Sequence, residues 1–158
     1  MRNHMRRFFV TIIALCAFFI LCVPASEAQR RRGPRARGYT RAEVNEIIKR
    51  VENRSDEFVK LFDRALDRSK LDGTKREDRL NERARDLEKA LDDLRREFDR
   101  KESYLETRPE VSRALNKADE INKVMRRRRM GGETERQWML LRAELNTLAD
   151  VYNLQPLP

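Results

Sequence analysis

The chain has 158 residues, 40% charged and 39% hydrophobic, and its 36 lysines and arginines outnumber its 27 aspartates and glutamates to give a formal charge of +9. Its two cysteines and single histidine, Cys16, Cys22 and His4, all precede Val23. Everything downstream is therefore without disulfides, thiol or imidazole nucleophiles, imidazole bases, His or Cys metal ligands and axial haem ligands. The Glu-x-x-His pairs of di-metal helical sites cannot occur there either. Composition predicts a protein with no enzymatic activity, no cofactor and no metal.

The first element is a leader. Arg2, Arg6 and Arg7 precede the apolar run Phe8 to Val23, which Pro24 and the small-residue site Ser26-Glu27-Ala28 close. This is the pattern of a secretory signal peptide over residues 1–28, cleaved before Gln29. The run is shorter than the roughly 20 residues a membrane-spanning helix needs. Leucine before each cysteine breaks the lipidation pattern. The expected location is periplasmic or secreted, which removes nucleic acid from the expected partners.

Residues 29–38 read QRRRGPRARG, with no apolar side chain larger than alanine, and are predicted to form a flexible basic arm. Losing the leader takes away three bases and one acid, leaving 33 against 26. Five of those 33 bases, Arg30, Arg31, Arg32, Arg35 and Arg37, lie in the arm, so the rest is close to charge balance.

From Tyr39 onward the pattern is helical. Four segments open with Thr followed three residues later by Glu or Gln: Thr40 with Glu43, Thr74 with Glu77, Thr107 with Glu110, and Thr134 with Gln137. Each has the form of a capping box, in which the hydroxyl accepts from a first-turn amide and the longer side chain reaches back to the cap N–H. Asp72-Gly73 and Met130-Gly131-Gly132 supply stops, and Pro109 suits a first turn. Helices are predicted near 41–71, 75–104, 108–129 and 135–152, with 155–158 as a tail. Apolar stripes run through Val44, Ile48, Val51, Ser55, Phe58, Phe62 and Ala65, then Leu80, Ala84, Leu87, Leu91, Leu94 and Phe98. Two more run through Val111, Leu115, Ala118, Ile121 and Met125, and through Trp138, Leu141, Leu145, Leu148 and Tyr152. Short connections make successive helices antiparallel. The predicted fold is all-α, an up-down-up-down four-helix bundle over 39–154 with a longer first hairpin, whose far end keeps an uncovered apolar strip.

Arg126, Arg127, Arg128 and Arg129 form the densest charge run in this part. They fit a site for phosphate or lipid headgroups, but fit better as cations set against the negative end of a helix dipole. Met125, Met130 and Met139 read as core filler, not soft-metal ligands. Trp138 reads as core. Acid-first pairs four apart, such as Glu46 with Arg50 and Asp119 with Lys123, read as solvated helix faces.

The stretch Leu66-Asp67-Arg68-Ser69-Lys70-Leu71-Asp72-Gly73-Thr74-Lys75-Arg76-Glu77-Asp78, then Arg85-Asp86-Leu87-Glu88, then Trp138 to Ala149, resembles a family of exported all-helical bacterial proteins with no assigned activity. The resemblance implies export and a helical fold and supplies no functional residue. Small periplasmic stress chaperones share the general composition, but their Leu-Thr-x-x-Gln signature is absent. The leading expectation is a non-enzymatic exported protein that binds anionic lipid, lipopolysaccharide or polysaccharide through the arginine-rich arm. The alternatives are a holdase-like chaperone and a structural homo-oligomer, both using the exposed end of the first hairpin.

Overall fold

The computed structural model describes residues 38–158, so the expected leader and the five arginines of the arm lie outside the described residues. Among the described residues all regular structure is helical. Helix α1 covers Arg41–Asp67, α2 Lys75–Arg100, α3 Arg108–Arg127 and α4 Gly132–Val151, with a single 3-10 turn at Tyr104–Thr107. No helix among them is long and apolar enough to cross a membrane.

The caps explain where these helices begin. Thr40 and Glu43 form the full box: the Glu43 amide donates to Thr40 Oγ1 at 3.2 Å and Glu43 Oε2 accepts from the Thr40 amide at 2.8 Å. Thr74 accepts from the Glu77 amide at 3.3 Å, but the Glu77 carboxylate takes the Gly73 N–H at 2.6 Å instead of reaching the cap. The two later boxes do not form. Thr107 is buried, donating to the Tyr104 carbonyl at 2.7 Å and sharing a 2.9 Å hydrogen bond with the Tyr152 hydroxyl. Thr134 lies inside α4 and donates to the Leu61 carbonyl of α1 at 3.4 Å, so α4 starts earlier, after Gly131 at φ 91°. At both positions a tertiary partner captures the hydroxyl that a local cap would use.

The ends shift for equally local reasons. Helix α1 stops at Asp67 rather than 71, because successive turns close from the Ser69 amide to Leu66, Asp72 to Ser69 and Thr74 to Leu71, with Gly73 at φ 71°. Helix α2 stops at Arg100 rather than 104, where Lys101 turns extended and Tyr104 swings into edge-on contact with Tyr152, 5.8 Å between centroids. Helix α3 ends at Arg127 with Arg128 extended.

Cross-helix bonds fix the directions. Arg41 reaches the Lys101 carbonyl at 2.6 Å, Arg50 the Glu144 carboxylate at 3.0 Å, Lys117 the Asp86 carboxylate at 2.7 Å, and Trp138 Nε1 the Asn122 Oδ1 at 3.3 Å. The Arg41, Arg50 and Trp138 bonds each join the early part of one helix to the late part of its neighbour, and the Lys117–Asp86 pair is followed by Glu120–Arg83, forward on α3 and back on α2, so every adjacent pair runs antiparallel. Helix α1 packs on α2 and α4, and α3 packs on α2 and α4. The predicted stripes form the interior: Val44, Ile48, Val51, Phe58, Phe62, Leu87, Leu94, Val111, Ile121, Leu141, Leu145 and Leu148 are fully buried. Their burial is the main source of stability for these helices, the first three of which carry mostly charged outer faces.

Two expectations are revised by this packing. The far end of the first hairpin carries no bare apolar strip: Leu66 is fully buried and Leu80 is 6% exposed, with Val124 and Met130 also buried in the same core. Covering these groups removes apolar area from water, which open stripe ends would forfeit. Nor do residues 155–158 trail away. Asn153, at φ 50°, reverses the chain, the Leu154 amide bonds the Ala149 carbonyl at 2.9 Å, and Leu157 is buried. The Leu157 amide donates to Asn146 Oδ1 at 2.7 Å and its carbonyl accepts from Asn146 Nδ2 at 3.2 Å, so one asparagine mimics a strand partner.

Candidate functional site

The connections 68–74 and 128–131 place the start of α2 beside the end of α3, and the cations of both helices gather there. Arg76, Arg79 and Arg83 recur at steps of three and four on α2, which puts them on one face. Lys123 and Arg127, four apart, do the same on α3. With Arg128 they line a cleft of about 720 Å³ whose floor is Leu80 and Val124 and whose one acidic group is Glu120. Arg83 meets Glu120 at 3.7 Å and Lys123 meets Asp119 at 2.6 Å. Arg76, Arg79, Arg127 and Arg128 have no ion pair among the described residues.

Around the end of α3 the wall continues into a smaller cleft of about 350 Å³, which Arg127 and Arg128 also line. Arg126, Arg129 and Arg142 belong to it, with Trp138 and Asn122. Arg129 reaches Glu135 at 3.5 Å, while Glu135 also accepts from the Met130 amide at 3.2 Å, tying the run to the turn before α4. Arg142 and Asn122 Nδ2 both donate to the Pro158 carbonyl oxygen, at 2.9 and 3.0 Å. Thus Arg126 to Arg129 do not form one patch. Arg127 and Arg128 look into both clefts, and Arg126 and Arg129 only into the smaller one. Arg126 and Arg127 also occupy the last turn of α3, against the negative end of its dipole.

The remaining candidates fall to structural roles. Trp138 is 4% exposed, with its ring 5.1 Å from that of Phe58. The methionines occupy three different settings: Met130 is buried, Met125 packs against the core and Met139 is 57% exposed. Asp67, Asp72 and Glu77 bring carboxylate oxygens within 4.8 Å of one another, and Glu77 there serves the turn through the Gly73 amide. On the surface Asp119 pairs with Lys123 as the spacing predicts, but Arg50 leaves Glu46 for Glu144, which also draws Arg54 at 3.7 Å.

The arm arginines, Arg30, Arg31, Arg32, Arg35 and Arg37, lie outside the described residues. Arg76, Arg79, Arg83 and Lys123 are the cations that sequence reading passes over. Singly they look like any solvated helix face, and only the packing of α2 on α3 sets them opposite one another. The site can attract and hold anions. It brings together no nucleophile and base, and its polar groups are nearly all donors. Compared with family models, curated proteins and solved structures, the chain has no match in any of the three.

Proposed function

We propose that the protein is a non-enzymatic, exported antiparallel helical bundle that binds anionic partners at the cell envelope. The observation that carries this reading is the crowding of cations at one end of the domain, where six bases and one acid line a single cleft. Guanidinium groups suit phosphate because their planar fork donates to two oxygens at once. The arginines of residues 29–38 would add long-range attraction of the same sign, effective over about 10 Å at moderate salt. A folded carrier of nearly balanced charge with cations concentrated at one end favours oriented adsorption over indiscriminate sticking.

The test is co-sedimentation of the intact chain with vesicles containing anionic phospholipid or lipopolysaccharide, over a salt series. Binding should fall steeply with salt. It should weaken when residues 29–38 are deleted, and again when Arg126, Arg127, Arg128 and Arg129 are changed to Gln. Failure to bind any polyanion at low salt would overturn the proposal.

A further inference from the structure

The α2–α3 interface is built as a series of cross-helix charge pairs that changes character partway along. In its middle, Lys117 of α3 meets Asp86 of α2 at 2.7 Å, and one turn on Glu120 meets Arg83 at 3.7 Å. Each pair steps three residues forward on α3 and three back on α2. Further along, by steps of three and four on each helix, Lys123 and Arg127 of α3 come to the stretch of α2 that carries Arg79 and Arg76, and all four line one cleft. There only Lys123 has an acidic partner, Asp119 at 2.6 Å, while Arg76, Arg79 and Arg127 have no ion pair among the described residues, and the cations of both helices line a cleft floored by buried Leu80 and Val124. Like charges held opposite one another destabilise a helix pair. The same helices show that an acid can be accommodated one turn away. An anion inserted between the two rows would turn this repulsion into attraction.

We propose that this cleft is a binding site for a ligand carrying more than one phosphoryl group. The inference deepens the anion-binding reading and depends on it only for the sign of the ligand's charge. Arg76 to Arg83 spans about 10 Å along α2, at 1.5 Å per residue. One phosphate has too few oxygens to engage six cations along that length, whereas phosphoryl groups linked in a chain, or placed at the two ends of a compact headgroup, offer enough acceptors to do so. Arginine predominates over lysine in the lining, which selects the planar bidentate geometry of phosphate oxygens over simple point charge. The apolar floor keeps water from screening the cations from below and focuses their field into the cleft. The shared chemistry is clustered phosphoryl groups, whether free oligophosphate or a bisphosphorylated lipid headgroup.

Calorimetric titration of the full chain with inorganic tripolyphosphate and with orthophosphate tests the inference. The cleft variant is Arg76→Gln with Arg79→Gln, and the control variant is Lys89→Gln with Arg113→Gln, exposed positions that remove the same charge away from the cleft. Tripolyphosphate should bind at least about tenfold more tightly than orthophosphate. The cleft variant should lose about tenfold or more of that affinity, as expected for two charged hydrogen-bond donors, and the control less than about threefold. Without ligand the cleft variant should melt no lower than the parent, since it relieves repulsion. Vesicles with bisphosphorylated or monophosphorylated headgroups separate the sources: selective binding to the former assigns a lipid headgroup, and binding to neither with retained tripolyphosphate affinity assigns a free oligophosphate. Equal losses in the two variants, or equal affinity for the two phosphates, overturn the site. If vesicle binding persists in that case, general anion binding stands without it, whereas loss of all polyanion binding by the intact chain removes both.

Discussion

Replacing Trp138 by alanine is expected to destabilise the helical domain by about 3 to 5 kcal/mol, the range for emptying a large buried aromatic site. The indole is 4% exposed and lies 5.1 Å from the Phe58 ring, which in turn lies 5.3 Å from Phe62. Losing the aromatic contact accounts for about 0.5 to 1.5 kcal/mol of that total. A further share comes from Asn122, 1% exposed, whose Oδ1 accepts the indole N–H at 3.3 Å and would be left without that donor, at about 1 to 3 kcal/mol. Trp138→Phe separates the two effects. It keeps a ring against Phe58 but removes the donor, so its cost should fall to about 1 to 3 kcal/mol. Urea denaturation followed by far-ultraviolet circular dichroism gives both values without relying on the missing chromophore, and the slope against urea should not change. A loss below about 1 kcal/mol for the alanine variant would refute the placement of Trp138 in the core.

Glu88 has its carboxyl pushed above the usual range, first by burial and then by the carboxylates of Asp56 and Asp92, against Arg85 and Lys60. A carboxyl whose folded-state pKa is raised favours folding while protonated, and that contribution disappears as pH rises through the folded value. Glu88→Gln should therefore melt higher than the parent at pH 7, with the gap closing below about pH 4, and an equal gap at both pH values would contradict the assignment. Ser55 is 1% exposed and its Oγ is buried with no hydrogen-bond partner. Ser55→Ala should stabilise by about 1 kcal/mol in the same urea assay, and destabilisation would show that the hydroxyl is in fact bonded. Residues 38–158 contain no cysteine or histidine, so melting should be indifferent to reductant and to chelator. A chelator-induced fall would point to Asp67, Asp72 and Glu77 as ligands, which Asp72→Asn would then test.

The helices and their inward faces were legible because helical periodicity and apolar burial are local in sequence and mutually consistent. The Val44, Ile48, Val51 and Leu87, Leu91, Leu94 rows are buried as the spacing requires. Capping was only half legible, since the same Thr-x-x-Glu/Gln signal sets the cap at Thr40 and is overridden at Thr107 by Tyr152 and at Thr134 by Leu61. No local rule weighs a first-turn amide against a partner 45 or 73 residues away. The segment after Asn153 looked like a loose end for the same reason, because its partners Asn146, Arg142 and Asn122 come from earlier helices. The arginine run at 126–129 was visible as charge density. The cleft was not: it exists only in the register between α2 and α3, which periodicity within either helix does not contain.

The pairing of α1 with α4 carries a consequence for how the chain reaches this state. Tyr39 hydrogen-bonds Asp150 across 111 residues at 3.3 Å, and Thr134 bonds Leu61 across 73. Helices α2 and α3 meet through neighbours only about 30 residues apart, so that hairpin closes at the smaller entropic cost. The rows Val44 to Phe62 stay partly uncovered until the last helix returns. Completion of the ring is then expected to be the slower step, since it closes the longest loop. A permuted chain that joins Pro158 to Gly38 through a linker, keeping the buried Leu157, and opens at Gly131-Gly132 would turn this longest closure into a local one. It should fold faster while keeping the same interior.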